Sequence, residues 1–204
     1  MRYLIMGAGA LGSVFGGLLL RSGKSVDFVG RGAHFEVLRR QGLSIDGIWG
    51  EYNLGPVPTL PVLPAPEPIY DVVLLCVKSF HTAPACQQIK PWLAPGGLVI
   101  SIQNGLGNLE IIAQECGPAG AMGARVIFGA RISRPGVATV TVYADKVLLG
   151  SPASPEPPPQ LREVAAHLNE AGIPAALVPD ILTHIWEKVL YNCALNPLGA
   201  ILGV

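Results

Sequence analysis

Charge is scarce in this chain. Only 14% of its 204 residues are Asp, Glu, Lys or Arg, and 14 basic side chains balance 14 acidic ones. That balance gives no electrostatic case for binding nucleic acid or an acidic membrane surface. No apolar run reaches transmembrane length without polar breaks, so no membrane span is expected. The first residues already read as a strand, so no signal peptide is expected ahead of the fold. The four cysteines (Cys76, Cys86, Cys116, Cys193) lack C-x-x-C spacing. Cys76 and Cys193 lie in apolar segments and read as buried thiols, which fits a reducing cytoplasm. No His/Cys/Asp cluster has metal-ligand spacing, so no metal site is expected. The absence of G-x-S-x-G excludes a nucleophile elbow, and no internal repeat is present. What remains is a chain that is 50% hydrophobic. It can bury a sizeable core as one domain, or as one domain plus part of another.

Against that background one motif stands out. Arg2-Tyr3-Leu4-Ile5-Met6 forms a short apolar strand that runs into Gly7-Ala8-Gly9-Ala10-Leu11-Gly12, and a helix-compatible run follows to Leu20. This is G-x-G-x-x-G in the strand-to-helix context that binds dinucleotides. Gly7 allows the tight turn, Gly9 removes the side chain that would meet a pyrophosphate, and Gly12 brings helix and strand together. The N–H groups at the helix start then face the diphosphate. The next strand, Ser25 to Val29, ends at Gly30-Arg31-Gly32, with no carboxylate between Val29 and Phe35. A carboxylate there would bind a ribose 2'-hydroxyl and repel a 2'-phosphate, whereas a guanidinium binds the phosphate. The reading is therefore NADP(H) over NAD(H), with His34 as a second possible donor.

Alternating strand and helix patterns continue to about residue 120. Helices are expected over Leu11–Arg21, Ala33–Arg40, Thr82–Trp92 and Leu109–Glu115. Leu43–Ile45 and Tyr52–Leu54 are short strand candidates. Asp71–Val77 and Gly97–Ile102 read as strands buried on both faces. Pro56–Pro68 holds six prolines and reads as a loop. This alternation implies an α/β, Rossmann-like, doubly wound parallel sheet. The pattern then changes. Ala124–Ile132, Val137–Tyr143 and Lys146–Leu149 read as an antiparallel extension, with turns at Pro135-Gly136 and Ala144-Asp145. A proline-rich connection (Ser151–Pro159), an amphipathic helix (Gln160–Ala171, with Leu161, Val164, Ala165 and Leu168 inward) and a short strand (Ala175–Val178) follow.

From Asp180, a plausible N-cap, the chain reads as one apolar helix. Lys188, Asn192 and Asn196 recur at i, i+4 and i+8 and lie along one side of it, drifting by about 40° per step. A cation and two amides in an otherwise apolar helix must find polar partners or line a cleft. Pro197 disfavours helical geometry at Asn196, so a kink is expected there. A solvated stripe is the competing reading. His81 has no carboxylate neighbour. His167 and His184 read as surface or packing residues, and Cys193 as packing.

Over its whole length the chain resembles the ketopantoate reductase (2-dehydropantoate 2-reductase) family. The matching elements are GAGALG at the start, Arg31 after the second strand, VKSFHT after the fourth, QNGLGN (Gln103–Asn108), FGAR (Phe128–Arg131) and WEKVLYNCALNPL. The resemblance implies an NADPH-dependent reductase of a small 2-keto acid, with Lys188 as the catalytic group. It implies Asn192 and Asn196 as substrate-binding residues and Asn104 between nicotinamide ribose and substrate. Lys78 and the Ala130 backbone would contact the cofactor, and Arg31 the 2'-phosphate. The motif residues Gly7, Ala8, Gly9, Ala10, Leu11 and Gly12 would hold the diphosphate. An ammonium at Lys188 suits the chemistry, because it stabilises charge building on a carbonyl oxygen and then donates a proton.

The resemblance also implies a division into residues 1–178, a nucleotide-binding domain, and residues 179–204, the start of an all-helical substrate domain of roughly 100 residues in the family. On this reading the chain is truncated and carries only one wall of the substrate cleft. Leu190, Tyr191, Leu195, Leu198, Ile201 and Leu202 would then be left exposed. The expectation is that they pack against a second copy, giving a homodimer, or fold back on the nucleotide domain. Three functions stay open: a ketopantoate reductase, a non-catalytic NADP-binding module, and a reductase of another 2-keto acid.

Overall fold

The computed structural model describes residues 1–60 and 67–203. Among the described residues, ten strands form one sheet. They are β1 (Arg2–Met6), β2 (Ser25–Val29), β3 (Ser44–Gly47), β4 (Tyr52–Asn53), β5 (Thr59–Leu60), β6 (Tyr70–Leu75), β7 (Leu93–Ser101), β8 (Ala121–Arg134), β9 (Val137–Gly150) and β10 (Ala175–Leu177). The helices are α1 (Ala10–Arg21), α2 (Gly32–Arg40), α3 (Thr82–Ile89), α4 (Asn108–Cys116), α5 (Pro159–Glu170) and α6 (Ile181–Leu202). The strand order is β4-β3-β9-β8-β7-β6-β1-β2-β5, with β10 beside β9. From β5 to β8 every neighbouring pair is parallel. That stretch is the doubly wound parallel sheet expected from the sequence, and its order reverses between β1 and β6. The antiparallel pair β8–β9 extends it, as expected.

Period-two alternation splits the core in two. Tyr3 and Ile5 of β1, with Val72 and Leu74 of β6, face Phe15 and Leu19 of α1 and Leu161 and Val164 of α5. Leu4, Met6, Val73 and Leu75 face Cys86 and Ile89 of α3 and Ile112 of α4. The close seat of α1 on the sheet depends on its glycines. A Cβ on Gly16 would overlap the Phe28 ring and the Ile5 side chain.

The structure corrects several boundaries. Ala144-Asp145 is no turn: β9 is continuous, and the register passes from Ile127↔Asp145 to Phe128↔Tyr143, leaving Ala144 as a bulge. One extra residue in mid-strand is absorbed that way. Pro91 ends α3 early, at Ile89, and a single 3-10 turn carries the chain through Trp92. Of the proline-rich segment 56–68, residues 61–66 lie outside the described residues; just before them, Thr59 and Leu60 pair with Phe28 and Val29. Asp180 caps α6 by accepting from the Thr183 N–H at 3.1 Å. Pro197, where a kink is expected, lies inside α6, which is helical at Asn196 and runs on to Leu202. Cys193 is exposed rather than buried, because only the first half of α6 meets the sheet. Cys76 is half-buried just beyond the end of β6. Among the described residues, no helix is long and apolar enough to cross a membrane, and no group of three His, Cys, Asp or Glu could hold a metal.

Alanine normally stabilises a helix interior by about 1 kcal/mol relative to glycine. At Gly16 the sign is expected to invert. Overpacking against Phe28 and Ile5 lowers the stability of Gly16→Ala by about 1–3 kcal/mol, measurable as a lower midpoint in urea unfolding.

Candidate functional site

A cleft of about 580 Å³ opens where the strand order reverses, at the carboxyl ends of β1, β2 and β6. Open α/β sheets bind ligands at this position. The glycine loop forms its floor. Gly7 has φ +108°, and a Cβ there would lie 2.8 Å from the Val77 nitrogen. A Cβ on Gly12 would collide with the Gly7 carbonyl. Gly9 differs from both: a Cβ there meets no atom within 4 Å, so packing places no demand on glycine at this position. Gly9 lines the cleft and is the N-cap of α1, whose first turn carries no acidic residue. The unpaired N–H groups of that first turn, from Ala10, Leu11 and Gly12, are what an anion would meet.

Arg31 and Lys78 also line the cleft, and none of its lining residues is a carboxylate. Arg31 is exposed, and its Nη2 lies 3.1 Å from His81 Nε2. His81 is the lining residue that sequence reasoning set aside. The signals available were its place in the VKSFHT element and its position three residues after Lys78, in the turn that begins α3. His34 lines the cleft too, but it is not a spare donor. Its Nδ1 accepts from the Gly136 N–H at 2.9 Å, and its Nε2 lies 2.9 Å from Ser13 Oγ. Burial pushes its pKa down. His34 is thus a neutral brace between α1, α2 and the β8–β9 turn. Ala130 sits half-buried on β8, paired with Val140; two residues on, Ile132 is the β8 residue that lines the cleft.

The VKSFHT and QNGLGN segments are stapled together. Gln103 Nε2 donates to the Val77 carbonyl and to Thr82 Oγ1, both at 2.9 Å. Ser79 Oγ donates to the Asn104 carbonyl at 3.0 Å, and Asn108 Nδ2 to the same oxygen at 3.2 Å. This network fixes the backbone of Asn104. Its side chain meets α6: Lys188 Nζ donates to Asn104 Oδ1 at 2.6 Å and also to the Val126 carbonyl. With Oδ1 committed to an ammonium, the Asn104 amide NH₂ is left as a donor. The two oxygens that hold Lys188 are both uncharged. Burial, and secondarily the nearby Arg125 guanidinium, lower its pKa to about 8. A group with that pKa can give up a proton near neutrality.

Asn192 is half-buried and Asn196 exposed, one and two turns beyond Lys188. The structure therefore joins Lys188 and Asn104, while Asn192 and Asn196 lie farther along α6, in the half of the helix that is mostly exposed. His167 proves to be a packing residue, with its Nδ1 2.7 Å from Tyr3 Oη. His184 pairs with Glu187 on the surface of α6 at 2.9 Å.

Comparison with known proteins follows the same lines. A family profile described as ketopantoate reductase PanE/ApbA matches residues 3–153. The 2-dehydropantoate 2-reductase of Aquifex aeolicus is 35% identical over 204 residues, which span 100% of this chain and 64% of the relative. That of Pyrococcus abyssi is also 35% identical, over 100% of this chain and 65% of its own length. The crystal structure of the 2-dehydropantoate 2-reductase of Geobacter metallireducens superposes with a TM-score of 0.89 at 32% identity, covering 100% of this chain and 66% of that one. The chain thus spans about two thirds of the length of these relatives.

Gly9 separates folding from binding. Gly9→Ala is expected to leave the urea midpoint unchanged, because the added methyl meets nothing. Dinucleotide affinity should fall about tenfold or more, on the order of 1.4 kcal/mol. Parallel unfolding and fluorescence titrations read the two effects.

Proposed function

The chain belongs to the ketopantoate reductase family, and from that premise we propose that it reduces 2-dehydropantoate to pantoate with NADPH, Lys188 acting as the general acid. The observation that carries this reading is the contact of Lys188 Nζ with Asn104 Oδ1 at 2.6 Å, in the loop that follows a parallel strand of the dinucleotide-binding sheet. The cleft fits the cofactor: Gly9 is open, the lining lacks carboxylates, and Arg31 and Lys78 supply positive charge. Gly7, Ala8, Gly9 and the first turn of α1 would hold the diphosphate, and Arg31 the 2'-phosphate. The Ala130 backbone is read as a further cofactor contact. When bound, NADPH supplies the hydride that reduces the C2 carbonyl.

The chain's own residues supply position and a proton. The Lys188 ammonium faces the oxygen on which negative charge builds, stabilises it and protonates it to the hydroxyl. Asn104 presents its NH₂ toward the same space without adding charge. Asn192 and Asn196 extend that polar edge along α6 and would orient the hydroxyl and carboxylate ends of the substrate. The four cysteines are all unpaired, which suits a reducing cytoplasm.

A second reading is a cofactor-binding module without turnover. It is favoured by the open face of α6, where Leu190 is 67% and Ile201 79% exposed. A second copy of the chain is the cover we propose for this face.

NADPH oxidation followed by absorbance with 2-dehydropantoate tests the main reading. Lys188→Ala is expected to lower kcat by about 10²–10⁴-fold while cofactor affinity holds. An acid must be protonated to act, so turnover should decline as pH rises through about 8. Cofactor binding with no turnover supports the module instead. Arg31→Ala should weaken NADPH by about 10- to 100-fold and leave NADH nearly unchanged. In sedimentation velocity the chain should run as a dimer, and a monomer at all concentrations overturns the second copy as cover.

A further inference from the structure

Arg125 is a buried cation that the proposed reaction does not use. It lies on β8 and is 7% exposed. Gly123, two residues earlier, shares its face of the strand. A Cβ there would lie 3.0 Å from Ile181 and 3.2 Å from Ile185, so this face is the one that α6 covers. Val126, the next residue, offers its carbonyl to Lys188 Nζ. The Arg125 guanidinium has one carboxylate partner, Asp145 Oδ2, at 2.6 Å from Nη2. Its Nε is buried and has no partner among the described residues.

Asp145 is placed by the bulge that the sequence disguised as a turn. It stands opposite Ile127 with register shifts on both sides, and its other oxygen accepts from the Lys146 N–H at 2.8 Å. Half-exposed, it can screen only one end of the guanidinium. The remaining charged groups around Lys188 are few. Glu187 and His184 of α6 pair with each other on the exposed side. Glu110 of α4 lines a small pocket with Leu182 and Ile185, near the start of the helix. The loop after β7 brings only the neutral Asn104.

We propose that Arg125, clamped by Asp145, is a positioning residue for Lys188: its buried positive charge on the strand face that α6 covers adds to the burial of the lysine and eases release of its proton. The proposal rests on Lys188 being the acid. Arg125 does not touch the substrate. It acts by repulsion, and Asp145 limits that repulsion. The two halves of one ion pair must therefore have opposite effects on the lysine.

Competitive labelling of Lys188 with trace acetic anhydride across a pH series, read by mass spectrometry of its peptide, measures this directly and needs no turnover. The unaltered chain should show a midpoint near 8. Arg125→Met should raise it by on the order of 1 pH unit. Asp145→Asn should lower it, and Arg125→Lys should restore a value close to the original. Midpoints that stay put in both Arg125→Met and Asp145→Asn, or that move the same way, overturn the proposal. Should Arg125→Met fail to fold, Asp145→Asn decides alone, since Asp145 is 49% exposed and the isosteric amide keeps an oxygen that can accept from Arg125 Nη2. Failure of the acid assignment would look different: Lys188→Ala would retain turnover while the labelling midpoints still shifted.

Discussion

An ammonium group held by two neutral oxygens ties this molecule together. Lys188 reaches from α6 to a side-chain amide in the loop after β7 and to a backbone carbonyl of β8. Three separate parts of the chain meet at one nitrogen atom, and no carboxylate among its hydrogen-bond acceptors neutralises it. Burying a charge without a counter-ion is costly, so the arrangement persists only because the surroundings are rigid. The hydrogen bonds among Val77, Ser79, Gln103 and Asn104 supply that rigidity on one side. The packing of Ile181 and Ile185 over Gly123 supplies it on the other.

The glycine loop is held by close approach of a different kind. Backbone approaches that only glycine permits at Gly7 and Gly12 hold the loop flat, while Gly9 is kept clear of protein atoms. Gly7 and Gly12 answer to packing, whereas nothing in the packing calls for glycine at Gly9. The sequence motif shows all three alike, and only the surroundings tell them apart.

The parallel sheet was legible because its strands are buried on both faces and read as unbroken apolar runs, as in Val72–Leu75. That the glycine loop and Arg31 line one cleft, and that Lys188 meets Asn104, accords with the marks that local pattern and family resemblance give these residues. What the sequence hid depends on contacts distant along the chain. His81 gains meaning only beside Arg31, and His34 loses its apparent freedom to Gly136, which lies 102 residues away. Ala144-Asp145 has turn chemistry, but pairing with β8 overrides it and turns it into a bulge. Pro197 has breaker chemistry, yet α6 continues past it. Arg125 carried no local signal, since a single arginine in an apolar strand is defined by what covers it.

The incomplete coverage of α6 has a thermodynamic consequence. Lys188 sits at the border between the packed half of the helix and the exposed half. Any surface that covers the exposed half strips further water from the ammonium and favours its neutral form. Association and proton release are then linked, and each promotes the other. A cover made of apolar side chains binds more tightly as the solution becomes more alkaline. A cover that brings a carboxylate to Lys188 reverses the sign, binding more tightly in acid and keeping the proton in place.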